Sequence, residues 1–87
     1  MNITAVESTT LATIGYDDAL GILQLEFQSR AIYQYFGVPA AVHEGLLNAP
    51  SKGSYFNRFI RGHFPYRSIL NPETGRRREA LRSEGAR

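Results

Sequence analysis

Between Ser51 and Arg67 the chain reads SKGSYFNRFIRGHFPYR, which sets Lys52, Arg58, Arg61, His63 and Arg67 among Tyr55, Phe56, Phe59, Phe64 and Tyr66. No acidic residue occurs from Lys52 to Leu70. Cations interleaved with flat rings can hold a polyanion, because guanidinium and ammonium groups neutralise phosphates while aromatic faces stack on bases. The same residues also describe an amphipathic helix. On a wheel of about 100° per residue, Tyr55, Phe56, Phe59 and Ile60 fill one arc, with Asn57, Arg58 and Arg61 opposite. The apolar arc is expected to be core. The basic arc, continued by His63 and Arg67, is either a solvated helix face or an anion-binding surface. A second candidate is the pair Tyr33 and Tyr35 in AIYQYFGV, which reads either as half-buried core or as an open platform for bases. Asn57, between the two arcs, is either a buried amide bonded to nearby chain or a ligand contact.

Catalytic chemistry finds little support. A general base needs a second group within hydrogen-bonding reach, and the two histidines, His43 and His63, have only Glu44 close by in sequence, pointing elsewhere on its helix. The chain has no cysteine, so neither a disulfide nor a thiolate metal site is available, and two histidines are too few ligands for a metal centre. No catalytic residue, metal or cofactor is expected. The start, MNITAVESTT, lacks a basic segment followed by an apolar run, and no stretch approaches the ~18 apolar residues of a membrane span. A cytoplasmic protein is expected.

The net charge of +2 conceals a polarised chain. Residues 1–51 hold five acids against Arg30, residues 52–70 hold four bases and no acid, and residues 71–87 hold five bases and three acids. Such asymmetry attracts anions locally even where the net charge is small.

The elements that must position these groups follow from period and punctuation. Eighty-seven residues suffice for one core, so a single domain is expected over residues 1–70, followed by a mobile basic tail over 71–87 that includes GRRREALR. TTLATIGY (9–16) sets Ala12, Ile14 and Tyr16 against Leu11, Thr13 and Gly15. ILQLEFQ (22–28) sets Leu23, Leu25 and Phe27 against Ile22, Gln24, Glu26 and Gln28, and AIYQYFGV (31–38) supplies a third β-rich run. Asp17-Asp18 and Ser29-Arg30 fall where tight connections are needed. An α+β fold is predicted, a three-stranded antiparallel meander covered by two helices. Pro39 opens the first helix, with Val42, Leu46 and Ala49 on one face and Gly45 weakening it. Ser51 caps the second, which Gly62 and Pro65 stop. Leu23, Leu25 and Phe27 are expected to face Phe56, Phe59 and Ile60.

IGYD at the end of the first strand, the tyrosine pair of YQYFGVP, and LLNAPSKGSYFNRFIRGHFPYR together resemble the KTSC domain. This small module is named for its place at the C-terminus of some lysyl-tRNA synthetases, and it also occurs as a stand-alone bacterial protein. The likeness runs over about residues 5–68. It implies a compact α+β domain proposed to bind RNA, with no catalytic activity assigned. Two functions are therefore expected in order. The first is a non-catalytic nucleic-acid-binding module, for RNA, using Lys52, Arg58, Arg61, His63 and Arg67 with Tyr33 or Tyr35. The second is a small adaptor, of bacterial or phage origin, that binds a protein partner with an acidic surface or a second copy of itself.

Overall fold

The computed structural model describes residues 1–70, so the expected basic tail over 71–87 lies outside the described residues. Its strands are β1 (Asn2–Ala5), β2 (Leu11–Asp17), β3 (Ile22–Phe27), β4 (Ile32–Tyr35) and β5 (Tyr66–Leu70). They lie in sequence order in one sheet, every neighbouring pair antiparallel. Two helical segments separate β4 from β5: α1 (Ala40–Asn48), and α2 (Lys52–Tyr55), which runs straight into a π-helical turn at Phe56–Ile60. The α+β class and antiparallel meander are as expected, but the sheet has five strands where three are predicted. Both additions are edge strands. β1 is exposed along its length and β5 buries none of its residues completely, so neither shows the alternation of buried and exposed types by which a strand is read from sequence.

A bulge between Leu11 and Thr13 changes the face assigned to Leu11. Strict alternation sets Leu11 opposite Ile14. With one extra residue in β2, Leu11 instead pairs with Phe27 and joins Ile14, paired with Leu25, on the helix side. The core is built there from Leu11, Ile14, Leu23 and Leu25 of the sheet, Val38 of the connection, and Leu46, Phe56 and Ile60 of the helical layer.

The motif residues IGYD and GVP meet in space. The Tyr16 hydroxyl donates to the Val38 carbonyl at 2.5 Å, and the Val38 N–H donates to the Gly21 carbonyl at 2.9 Å. The Tyr16 ring also stacks on His43 of α1, with centroids 4.5 Å apart and planes 14° from parallel. These contacts fix where α1 begins over the sheet. Pro39 caps the helix rather than opening it, with Ala40 as its first residue.

Two glycines let the helices sit close. A Cβ on Gly45 would run into the Tyr55 ring, and one on Gly53 would lie 2.5 Å from the Thr10 hydroxyl at the start of β2. Gly45 is thus required by helix contact, whatever its cost in helix propensity. Ser51 caps α2 as expected, accepting from the Ser54 N–H at 3.3 Å.

The π turn overturns the prediction that Phe59 is core: its side chain is 47% exposed, while Phe56 and Ile60 are buried. The Arg61 N–H reaches back five residues to the Phe56 carbonyl at 2.8 Å, so each residue advances the turn by less than in an α-helix. Residues four apart then stay aligned, which keeps Phe56 and Ile60 inward, whereas Phe59 lags by about a third of a turn and faces out.

Candidate nucleic-acid interface

Pairing across the sheet decides which face each side chain takes, because successive residues of a strand point to opposite faces. Tyr35 pairs with Leu23 and Tyr33 with Leu25, so both tyrosines lie on the helix side. Tyr66 pairs with Tyr35, and Ser68 with Tyr33, on that same side. The helical layer covers the sheet only as far as Tyr35, which packs edge-on against Phe56 at 5.8 Å and is 5% exposed. Beyond it the cover ends. Tyr33 is half-buried, and Tyr66, outermost on β5, is 60% exposed.

The three rings form one cluster. Tyr66 lies 5.5 Å from both Tyr33 and Tyr35, and those two lie 6.5 Å apart. Phe27 closes the inner side, edge-on to Tyr33 at 5.8 Å and to Phe56 at 5.3 Å. Burial, with the neighbouring Tyr33 and Tyr66 phenols adding to it, pushes the Tyr35 phenol up to about 12, while the Arg61 guanidinium pulls it the other way. Tyr35 therefore keeps its proton near neutral pH and can donate a hydrogen bond. The Ser68 hydroxyl, on the face shared with Tyr66, is buried with no hydrogen-bond partner among the described residues.

The basic residues that sequence groups together are divided by the fold. Arg58, Arg61 and His63 are exposed on the π turn and the turn after it, directly before the chain enters β5. The Arg61 Nη1 donates to the Asn57 side-chain oxygen at 3.4 Å, and Arg58 lies over the Phe59 ring at 5.9 Å from its centroid. Lys52 is elsewhere. Its ammonium donates to the Ala49 carbonyl at 3.1 Å, where a cation also offsets the partial negative charge at the end of α1. Arg67 pairs with Gln34, whose side chain bonds to Gln24 across the opposite face at 2.9 Å, so Arg67 stands on the side of the sheet away from the tyrosines.

Of the seven residues singled out from sequence, Tyr33 and Tyr35 share the ring cluster and Arg61 lies near enough to act on the Tyr35 phenol, whereas Arg58 turns to the Phe59 ring and His63 is exposed on the turn before β5. Lys52 and Arg67 fall outside that group. Tyr66 is absent from the sequence-derived set, because its place beside Tyr33 depends on β5, which sequence does not show. The Asn57 amide is on the surface bonded to Arg61, not buried. Among the described residues no three His, Cys, Asp or Glu side chains stand together as a metal site would require, and no helix is long and apolar enough to cross a membrane.

The architecture defines a small α+β domain with an aromatic edge beside a cationic turn. The chain belongs to the KTSC domain family, whose model matches residues 7–64. It is 46% identical over 63 residues to a lysine–tRNA ligase of a Nostoc species, a match covering 72% of this chain and 11% of the ligase. An uncharacterized protein of Stutzerimonas stutzeri is 40% identical over 67 residues, covering 76% of this chain and 94% of that protein. Among solved structures, a KTSC domain protein from Yersinia pestis superposes with a TM-score of 0.77 at 36% identity, covering 79% of this chain and 97% of that one. The family match includes Tyr33, Tyr35, Arg58, Arg61 and His63 and stops before Tyr66 and Arg67.

Proposed function

We propose that this chain is a non-catalytic, cytoplasmic RNA-binding module, carried by the folded unit of residues 1–70. The supporting observation is the nearness of Arg61 to the partly uncovered cluster of Tyr33, Tyr35 and Tyr66, with Arg58 and His63 exposed on the same segment that leads into β5. Arginines there neutralise phosphates, and tyrosines offer faces to bases. That relatives of this domain are parts of lysine–tRNA ligases supports RNA over other polyanions, although the chain spans only 11% of such a ligase.

The test is the salt dependence of binding. Replacing Arg58 and Arg61 together by alanine is expected to leave the melting transition nearly unchanged, since both are exposed, and to weaken RNA binding. The slope of log K against log salt is expected to fall by about 1.4, or about 0.7 for each phosphate of a single strand that is no longer neutralised. An unchanged slope and affinity would remove these arginines from the interface.

A second reading rests on Phe59. Its exposed ring, 4.6 Å from that of Tyr55, borders an open groove of about 290 Å³ lined also by Ala49, Pro50, Ser51, Ser54 and Arg58. A protein partner presenting an apolar side chain beside acidic ones would suit that groove. Recovery of the tagged chain from lysate, with and without ribonuclease, separates the readings: a stoichiometric protein that persists while RNA stays at the background of a tag-only control favours the partner.

A further inference from the structure

We infer that the interface takes unpaired nucleotides, with Tyr66 as the ring on which a base stacks and the arginine-bearing turn as the holder of its phosphates. This rests on the RNA-binding reading and adds the class of RNA and the residue that selects it. The observation is the contrast among the three tyrosines. Tyr35 is sealed under Phe56 and Tyr33 is half covered, whereas Tyr66 is 60% exposed, with both other rings 5.5 Å away on its inner side. A ring that is braced from behind and open in front loses little further freedom when a base covers it, which is what a stacking platform requires.

A duplex offers no such partner. In an A-form helix the base faces are already stacked on one another, and a protein reaches chiefly the phosphates and 2′-hydroxyls. A single strand exposes its base faces, and stacking tolerates any base because each has one. Tyr66 and Arg61 both lie close enough to Tyr35 to act on its phenol, and the chain runs directly from Arg61 through His63 to Tyr66, so one nucleotide can meet the ring and that guanidinium together.

The experiment uses the full chain with a single-stranded oligoadenylate of about ten nucleotides containing one 2-aminopurine, the same strand annealed to oligouridylate, and a mixed-sequence single strand of equal length. Binding is expected to quench the 2-aminopurine fluorescence and to favour the single strands over the duplex. Tyr66→Ala is expected to weaken single-strand binding by about 5-fold to 150-fold while leaving the salt slope unchanged, because the change removes a stacking face and no charge. Tyr66→Leu guards against a fold defect: it keeps apolar bulk against Tyr33 and Tyr35 but has no π face, and the same weakening is expected with the wild-type melting curve. Tyr66→Phe is expected to bind like wild type. Equal binding of duplex and single strand, or full affinity in Tyr66→Leu, would overturn the stacking inference while the Arg58 and Arg61 slope effect still upheld RNA binding. Failure of all three nucleic acids to bind would overturn both.

Discussion

On the helix side of the sheet, β2 and β3 present Leu11, Ile14, Leu23 and Leu25 wholly buried, whereas β4 and β5 present tyrosines whose exposure grows toward the edge. One face of one sheet thus serves two purposes. The difference comes from the length of the cover. α1, α2 and the π turn bury Leu46, Phe56 and Ile60 against the central strands, and the chain must then turn through residues 61–65 to become β5 itself. It cannot also roof the strand it is about to form. Aliphatic residues under the roof exclude water completely, while tyrosines at its margin keep a polar group where water or a ligand can reach it.

The largest expected effect lies under the roof. Leu25→Ala removes a fully buried side chain from the middle strand and is expected to cost about 2–5 kcal/mol, much or all of the stability of so small a domain. Tyr66→Ala, on the same face two strands away, is expected to cost less than about 1 kcal/mol, the worth of a cross-strand pair at an edge. Denaturant melts of the two variants measure the contrast directly. Comparable losses would mean that β5 is as integral to the core as β3.

The π turn sets up a second contrast within one segment. Phe56 touches Phe27 and Tyr35 beneath it, so Phe56→Ala is expected to lose about 3–5 kcal/mol. Phe59, three residues on, is expected to lose only ~1 kcal/mol, chiefly its packing against Tyr55. If Phe59→Ala proved as damaging as Phe56→Ala, an α-helical course through these residues would account for it better than a π turn.

These two aromatics also mark how far the fold can be read from sequence. Leu23, Leu25 and Phe27 alternate cleanly because β3 is central and uninterrupted, and the capping role of Ser51 follows from local chemistry alone. Leu11 and Phe59 are assignable only by assuming regular period, and both sit where the backbone departs from it, at a bulge and at a π turn. The candidate site suffers more. Arg58 and Arg61 are legible as a surface arc, but the company they keep depends on β5, whose exposed Tyr66-Arg67 start has no periodic signature. A run of like charge in sequence is therefore not a patch: Lys52 is turned to the end of α1, and Arg67 to the far side of the sheet.

A smaller effect is expected from His43. Burial holds its imidazole below the ordinary value of 6.5, with Glu44 opposing, while the ring stacks on Tyr16. The unfolded chain then takes up the proton more readily than the folded one, so the stability contributed by the neutral ring is full above pH 6.5 and is lost as pH falls through the lower folded value. The melting temperature is expected to decline below pH 6.5, before most carboxylates titrate, and His43→Gln is expected to flatten that part of the profile. A wild-type profile level down to about pH 5 would show that the stacked ring accommodates its charge.

The smallest effect bears most closely on the two halves of the face. Ser68 pairs with Tyr33 at the uncovered end, and its buried hydroxyl has no partner among the described residues, whereas the region beneath the helices is built of side chains that need none. A buried hydroxyl left unbonded costs the free energy of its forfeited hydration, and a methyl group in its place removes that cost with little change of volume. Ser68→Ala is accordingly expected to raise stability by about 0.5–1 kcal/mol, read as a higher denaturant midpoint at unchanged slope. A lowered midpoint would show that the hydroxyl is bonded in solution, and Ser68 would then belong with the covered half of the sheet.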